Sequence, residues 1–187
     1  MKISILDCTL RDGGYINDWK FGEDAIIDIV HGIESTGIEI LELGFIKDEP
    51  YNKDRTVFNS MDQVKKLIHR KASGVKYAVM AEVVNPLPLE KLAPADEEGP
   101  EIIRVIVWKR MLKEGFEYCK GIVEKGYKLC VQPARVSQYS DDEFIEMIEL
   151  FNQLEPMAVY VVDSWGTMYA DALLHYMKLA DEHLKPG

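Results

Sequence analysis

The stretch "DCTLRDGGY", residues 7–15, sets an arginine beside an aspartate and follows them with two glycines, directly behind the apolar run "KISIL". Arg11 is charged at every physiological pH, and its planar guanidinium suits a carboxylate, a carbonyl oxygen or an enolate oxygen as negative charge develops. Asp12 is a hard oxygen donor of the kind that Mg²⁺ and Mn²⁺ take. Gly13 and Gly14 would let the backbone turn sharply and a substrate approach closely. Taken alone, the bare string R-D-G-G describes a capped, solvent-facing turn better than a reactive centre.

Three further polar residues interrupt runs that otherwise read as buried strands: Glu42 in "ILELGF", Arg104 in "IIRVIVW" and Gln132 in "LCVQPA". Each needs a partner if it points inward, because an unpaired buried polar group is costly. An acid, an amide and arginines that converge would satisfy one another as one network. The alternative, that they face the helices or form structural ion pairs, stays open at this point. Asp163, Ser164 and Arg135 complete the polar residues of interest behind later strands.

The elements that must position these side chains alternate along the chain. Strands are expected at residues 2–6 and 38–43, then in "KYAVMAEVV", "EIIRVIVW", "YKLCVQPARVS" and "MAVYVVDSWGTM". Helices are expected at residues 24–35, where Ala25, Ile26, Ile29, Val30 and Ile33 share a face, and in "NSMDQVKKLIHRK", "MLKEGFEYCKGIVEKG", "SDDEFIEMIELFNQLEP" and "YADALLHYMKLADEHLKPG". The Pro-rich "NPLPLEKLAPADEEGP" can hold only a short, irregular helix, and residues 48–59 read as a polar loop long enough to cover a site. Apolar strands separated by helices indicate a parallel sheet covered by helices, either a (β/α)8 barrel or an open doubly wound sheet. In both, ligands gather at the C-terminal ends of the strands, where the residues above fall.

The bulk composition excludes several functions. The chain has 187 residues, 47% hydrophobic and 29% charged, which suits one globular domain. A formal charge of −10 without a basic stripe argues against nucleic acid. The densest basic stretch, Lys65, Lys66, His69, Arg70 and Lys71, reads as the solvated end of one helix. Three cysteines without C-x-x-C spacing argue against a disulfide framework, and with no apolar run near the ~20 residues of a bilayer span the expected location is the cytoplasm. No glycine-rich phosphate loop is present.

"DCTLRDGG" immediately after the first strand resembles the signature of the DRE-TIM metallolyases, the HMG-CoA-lyase-like superfamily, whose branches include 4-hydroxy-2-oxovalerate aldolases and isopropylmalate and homocitrate synthases. "ELGF" and "VVDSWGTM" resemble further landmarks of that family, so the likeness runs along essentially the whole chain. The resemblance implies carbon–carbon bond cleavage or formation through a metal-bound enolate of a 2-oxo acid or acyl substrate. It implies that Asp12 is a ligand of Mg²⁺ or Mn²⁺, that Arg11 stabilises the enolate, that Asp7 and Thr9 support their loop, and that Ser164 lies near the substrate carboxylate. Glu42, Arg104 and Gln132 are then expected around the substrate.

Two departures follow. The aldolase branch carries a histidine acid/base three residues after the metal aspartate; here Tyr15 stands there, a phenol that can donate a proton or orient a substrate but is a poor base near neutral pH. The family completes its metal site with a His-x-His on a seventh strand. None of the four histidines, His31, His69, His175 and His183, forms such a pair, and all fall in expected helices. Residues 1–187 are therefore expected to form one incomplete TIM-type barrel domain of about six βα units, against about 250 residues for a whole barrel. Such a piece is expected to bind metal weakly, to turn over little, and either to associate with another copy through exposed barrel edges or to form an open, C-shaped sheet. The competing reading is a non-catalytic α/β ligand-binding or scaffold domain.

Overall fold

The computed structural model describes residues 3–68, 72 and 74–185. Their strands are β1 (Leu6–Asp7), β2 (Ile40–Ile46), β3 (Val57–Phe58), β4 (Lys76–Glu82), β5 (Ile102–Val107), β6 (Lys128–Pro133) and β7 (Ala158–Val159). All pair in parallel in one sheet of order β1-β2-β4-β5-β6-β7, with β3 added to the far end of β2. Helices α2 (Glu23–Glu34), α4 (Leu112–Glu124) and α5 (Asp141–Phe151) join successive strands, α6 (Ala170–His183) follows β7, and α1 (Thr9–Asp12) and α3 (Met61–Lys65) are short. This is the truncated TIM-type α/β architecture expected from the sequence: a half-barrel of parallel strands.

Strand alternation divides the side chains between two layers. Leu41, Leu43, Tyr77, Val79, Ile103, Val105, Leu129 and Val131 pack beneath the helices in one continuous core. The opposite face carries stacked rows. Ile40, Ala78, Ile102 and Cys130 form an apolar row, closed by Leu6, Ala158 and Tyr160. Phe45 and Met80 belong to a second apolar group with Val57. The helix ends obey the expected rules: Ser140 and Glu143 form a capping box on α5, and Gly126 follows α4 at φ 88.

Several expected elements come out differently. The first strand is in the ladder only at Leu6–Asp7, and the sixth only at Ala158–Val159. Both are edge strands with a partner on one side, so little holds their outer residues in register; Ile3 and Ile5 remain 72% and 62% exposed. The "NSMDQVKKLIHRK" helix is α-helical for Met61–Lys65, and His69, Arg70 and Lys71 lie outside the described residues. The Pro-rich stretch 85–100 holds turns and no helix. Pro86, Pro88, Pro94 and Pro100 lack the donors a helix needs, and the segment is pinned instead by buried Leu87 and Leu92 and by hydroxyls of Tyr118 and Tyr127 donating to the Leu87 and Ala93 carbonyls at 3.0 and 2.8 Å.

The polar loop at residues 48–59 contains β3, whose seating depends on a glycine. Gly44 sits at φ 146, where the β2–β4 register shifts, and a Cβ built there would lie 2.1 Å from the Thr56 carbonyl oxygen. The space is taken by a ladder bond, Phe45 N–H donating to Thr56 O at 2.9 Å. Buried Thr56 in turn donates its hydroxyl to the Leu10 carbonyl at 2.6 Å, tying this loop to the segment that carries Arg11. Gly44→Ala is expected to cost about 2–3 kcal/mol in urea unfolding, as strained backbone and steric overlap combine; a change within ~0.5 kcal/mol would show that the loop yields freely.

Candidate functional site

Glu42, Arg104 and Gln132 occupy equivalent inner-face positions on β2, β5 and β6, one step beyond the Ile40–Ala78–Ile102–Cys130 row. The Glu42 carboxylate is fully buried. Arg104 donates through Nη1 to Glu42 Oε1 at 2.7 Å, and Arg11 donates through Nε to Glu42 Oε2 at 2.7 Å. The Gln132 amide faces the other edge of Arg104, and with its orientation assigned from these neighbours its oxygen accepts from Nη2 and, at 3.2 Å, from Nε. Tyr160 lies under the same guanidinium, its ring centroid 4.7 Å from the central carbon. Each polar group that interrupts an apolar strand thus has a partner on the inner face and not among the helices, and the network they form includes the Glu42–Arg104 and Glu42–Arg11 ion pairs.

Arg11 arrives from a different direction. It lies on α1, a single turn after β1 whose start is fastened by Asp7, which accepts from the Thr9 N–H and hydroxyl at 2.9 and 3.1 Å. Its Nη1 donates to Asp12 Oδ1 at 2.6 Å. Burial would lower the Arg11 pKa, but the adjacent Glu42 and Asp12 carboxylates outweigh this and raise it. Gly14 behaves otherwise than expected. Residues 13–16 continue as a 3₁₀ turn, and the space over Gly14 is filled by Trp19, whose Cδ1 would lie 1.9 Å from an added Cβ. Gly14 therefore admits an indole of the same chain, not a substrate, and Trp19 Nε1 donates to the Arg11 carbonyl at 2.6 Å.

These groups line a cleft of about 670 Å³ at the C-terminal ends of the strands, walled by Arg11, Asp12, Tyr15, Arg104, Gln132, Tyr160, Asp163 and Ser164. The volume falls in the usual range for a small-molecule site. Six of the seven candidate residues from the sequence meet here: Arg11, Asp12, Tyr15, Arg104, Gln132 and Ser164 line it, while Glu42 lies behind Arg11 and Arg104. Arg11 and Arg104 meet two carboxylates here, the buried Glu42 and the part-exposed Asp12, so the formal charges balance. Tyr15 packs edge-on against Trp19 at 5.0 Å. Partial burial pushes its phenol pKa up, Arg11 pulls it back in part, and the net rise keeps it protonated at neutral pH. Burial also raises the Cys8 thiol against the pull of Arg11, so that sulfur is a thiol and not a thiolate nucleophile at neutral pH.

Ser164 is held by the turn that Asp163 builds. The Asp163 carboxylate accepts backbone N–H groups of Thr167 at 3.0 Å and Met168 at 2.9 Å, and these bonds lower its pKa. Ser164 Oγ accepts the Arg135 N–H at 2.9 Å. Lys47 and Glu82 form their own pair at 3.4 Å beside Trp108, and Lys109 pairs with Glu143 at 2.5 Å. Sequence reasoning missed Trp19, Thr56 and Tyr160. Tyr160 was readable, since alternation places it with Ala158; Trp19 and Thr56 lie in irregular segments where no period marks them.

For a metal ion the donor set is short. Asp12 offers a carboxylate 62% exposed at the cleft mouth, with Oδ1 bonded to Arg11. Among the described residues no three His, Cys, Asp or Glu side chains come together as a metal cluster. His175 and His183 pair with Asp141 and Glu149 on the helical layer, at 2.7 and 3.5 Å. The described residues supply one oxygen ligand and not a complete shell. No helix among them is long and apolar enough to cross a membrane.

No family model matches the chain. A curated relative, the 4-hydroxy-2-oxovalerate aldolase of Carboxydothermus hydrogenoformans, is 24% identical over 176 residues, 89% of this chain and 50% of the relative. Among solved structures, the N-terminal domain of a candidate aldolase from Bacteroides vulgatus matches with a TM-score of 0.72 at 19% identity, over 98% of this chain and 62% of that one. The carboxyl transferase domain of Rhizobium etli pyruvate carboxylase matches with a TM-score of 0.69 at 14% identity, over 97% and 34%. The chain thus spans about half the length of the curated relative it matches. The resemblance carried by "DCTLRDGG" is met by an aldolase relative in sequence and by a shared fold in structure.

Two outcomes follow from the site's geometry. Glu42→Gln leaves two buried guanidinia without their shared anion, and urea unfolding is expected to show a loss of about 3–5 kcal/mol; a neutral result would mean that the guanidinia are solvated in place. The Asp163 pKa is depressed on folding, so its hold on the turn is present above the ordinary aspartate range and is lost as pH falls through the lower folded value. The Thr167 and Met168 amide NMR signals are expected to titrate together below about pH 3.9; signals flat through that range would show that the turn does not need the carboxylate.

Proposed function

We propose that this chain carries the substrate-polarising half of a carbon–carbon lyase or condensing site for a 2-oxo acid of pyruvate type. The supporting observation is Arg11, fixed between Glu42 and Asp12 at the wall of the cleft. Of five guanidinium hydrogens, two go to those carboxylates, and the remainder can meet a substrate oxygen. A preorganised, partly desolvated cation at that place stabilises an enolate oxygen more than the carbonyl it comes from, and so lowers the barrier to forming it. Ser164, Arg104 and Gln132 orient the substrate carboxylate. Tyr15 keeps its proton at Oη and donates it to the carbonyl oxygen of the partner substrate as that oxygen becomes an alkoxide.

The resemblance adds Mg²⁺ or Mn²⁺, which acts as a Lewis acid on such substrates. Asp12 would be one ligand, and the described residues do not complete a site, so Mn²⁺ calorimetry on these 187 residues is expected to show only weak binding. The domain is read as the incomplete barrel of residues 1–187, little active alone. Its one-sided edge strands β1 and β7 favour pairing with a second copy; light scattering is expected to show a dimer, and a monomer at all concentrations would remove that part.

The decisive experiment uses oxalate, a planar mimic of the pyruvate enolate. Calorimetry is expected to show binding that weakens at least about tenfold, or 1.4 kcal/mol, in Arg11→Ala, with circular dichroism confirming the fold. Oxalate affinity unchanged in Arg11→Ala would sink this reading and leave a non-catalytic domain.

A further inference from the structure

Beside the cleft, at the ends of β5 and β6, a second hollow of about 180 Å³ is lined by Trp108, Arg110, Ala134, Arg135 and Gln138 among others. Ala134 belongs to both, so the hollow opens where the cleft ends. It is smaller than the roughly 300–1,000 Å³ of a whole ligand site, so it suits one terminal group of a molecule.

Its chemistry centres on Arg135. The residue holds a left-handed backbone, φ 59 and ψ 53, which costs energy for a side chain with a Cβ and is found where the surroundings enforce it. The enforcing contacts come from the cleft, because the Arg135 N–H donates to Ser164 Oγ. The consequence is that its guanidinium stands between two indoles, 4.9 Å from the Trp108 centroid and 4.8 Å from that of Trp165. Arg110 lies 5.7 Å from the same Trp108 ring. Stacking fixes a guanidinium by its faces and leaves its in-plane donors open for an oxyanion. Lys109, the third cation, is already taken by Glu143 and the Gln138 carbonyl. In a chain of net charge −10, neither Arg135 nor Arg110 is among the ion pairs of the described residues.

We propose that this hollow is an oxyanion subsite, in which Arg135 and Arg110 receive a phosphate or carboxylate at the far end of a molecule whose reacting end lies in the Arg11 cleft. The proposal rests on the cleft reading for that reacting end, while the subsite itself is tested without it.

Tryptophan fluorescence of the 187-residue chain, titrated at low ionic strength with inorganic phosphate and separately with succinate, reads the subsite through Trp108 and Trp165. Saturable binding is expected to weaken about tenfold in Arg135→Asn, where asparagine tolerates the left-handed backbone, and to fall in Arg110→Ala, which alters only an exposed side chain. Arg11→Ala is expected to keep it. Tighter phosphate than succinate identifies a phosphorylated tail, and the reverse a carboxylate. No saturable change, equal affinity in Arg135→Asn, or loss in Arg11→Ala alone would overturn the subsite. Oxalate binding lost in Arg11→Ala alongside such a result would leave the cleft reading standing.

Discussion

One buried carboxylate organises this half-barrel. Glu42 has no access to water, and an isolated carboxylate there would cost several kcal/mol in lost solvation. It is tolerable because two guanidinia, 31 residues before it and 62 after it, reach it at 2.7 Å. In return Glu42 is shared between the two guanidinia, and Arg11 takes Asp12 as a second partner. The formal charges of the four groups balance, with both cations deep in the cleft and the part-exposed Asp12 carboxylate at its mouth.

That arrangement needs the layers above and below it. The apolar row of Ile40, Ala78, Ile102 and Cys130 closes the inner face beneath the charges and keeps water from reaching Glu42 from below. Above it, the segment bearing Arg11 is held from outside its own sequence: Thr56 takes the Leu10 carbonyl and Trp19 the Arg11 carbonyl. Both clamps depend on missing side chains. Gly44 makes room for the Thr56 backbone, and Gly14 makes room for the indole. Gly14, beside Arg11 and Asp12, thus serves chain packing, which helps to put the guanidinium in place without any ligand.

Much of this was legible before any coordinates. The alternation of apolar strands with amphipathic segments prescribed the parallel sheet, because each pattern follows directly from the period of its own backbone. The polar interruptions at Glu42, Arg104 and Gln132 marked the inner face, since each breaks an otherwise continuous apolar run. Edge strands were less legible: residues 2–6 and the sixth apolar run have strand composition, yet their ladders stop after two residues because pairing is a property of neighbours. The loop at residues 48–59 read as a cover for the site and proved to be a brace, as nothing local reveals that Thr56 meets Leu10.

The sequence by itself determined the parallel α/β class and the end of the sheet at which the polar candidates lie, both of which rest on local periodicity and residue type. Only the tertiary structure decided that Glu42 binds both arginines, that Gly14 faces Trp19, and that Arg135 stands between two indoles. The reason is physical. Those outcomes depend on distances between residues far apart in the chain and on the exclusion of water around them, and neither exists until the strands have paired into the sheet.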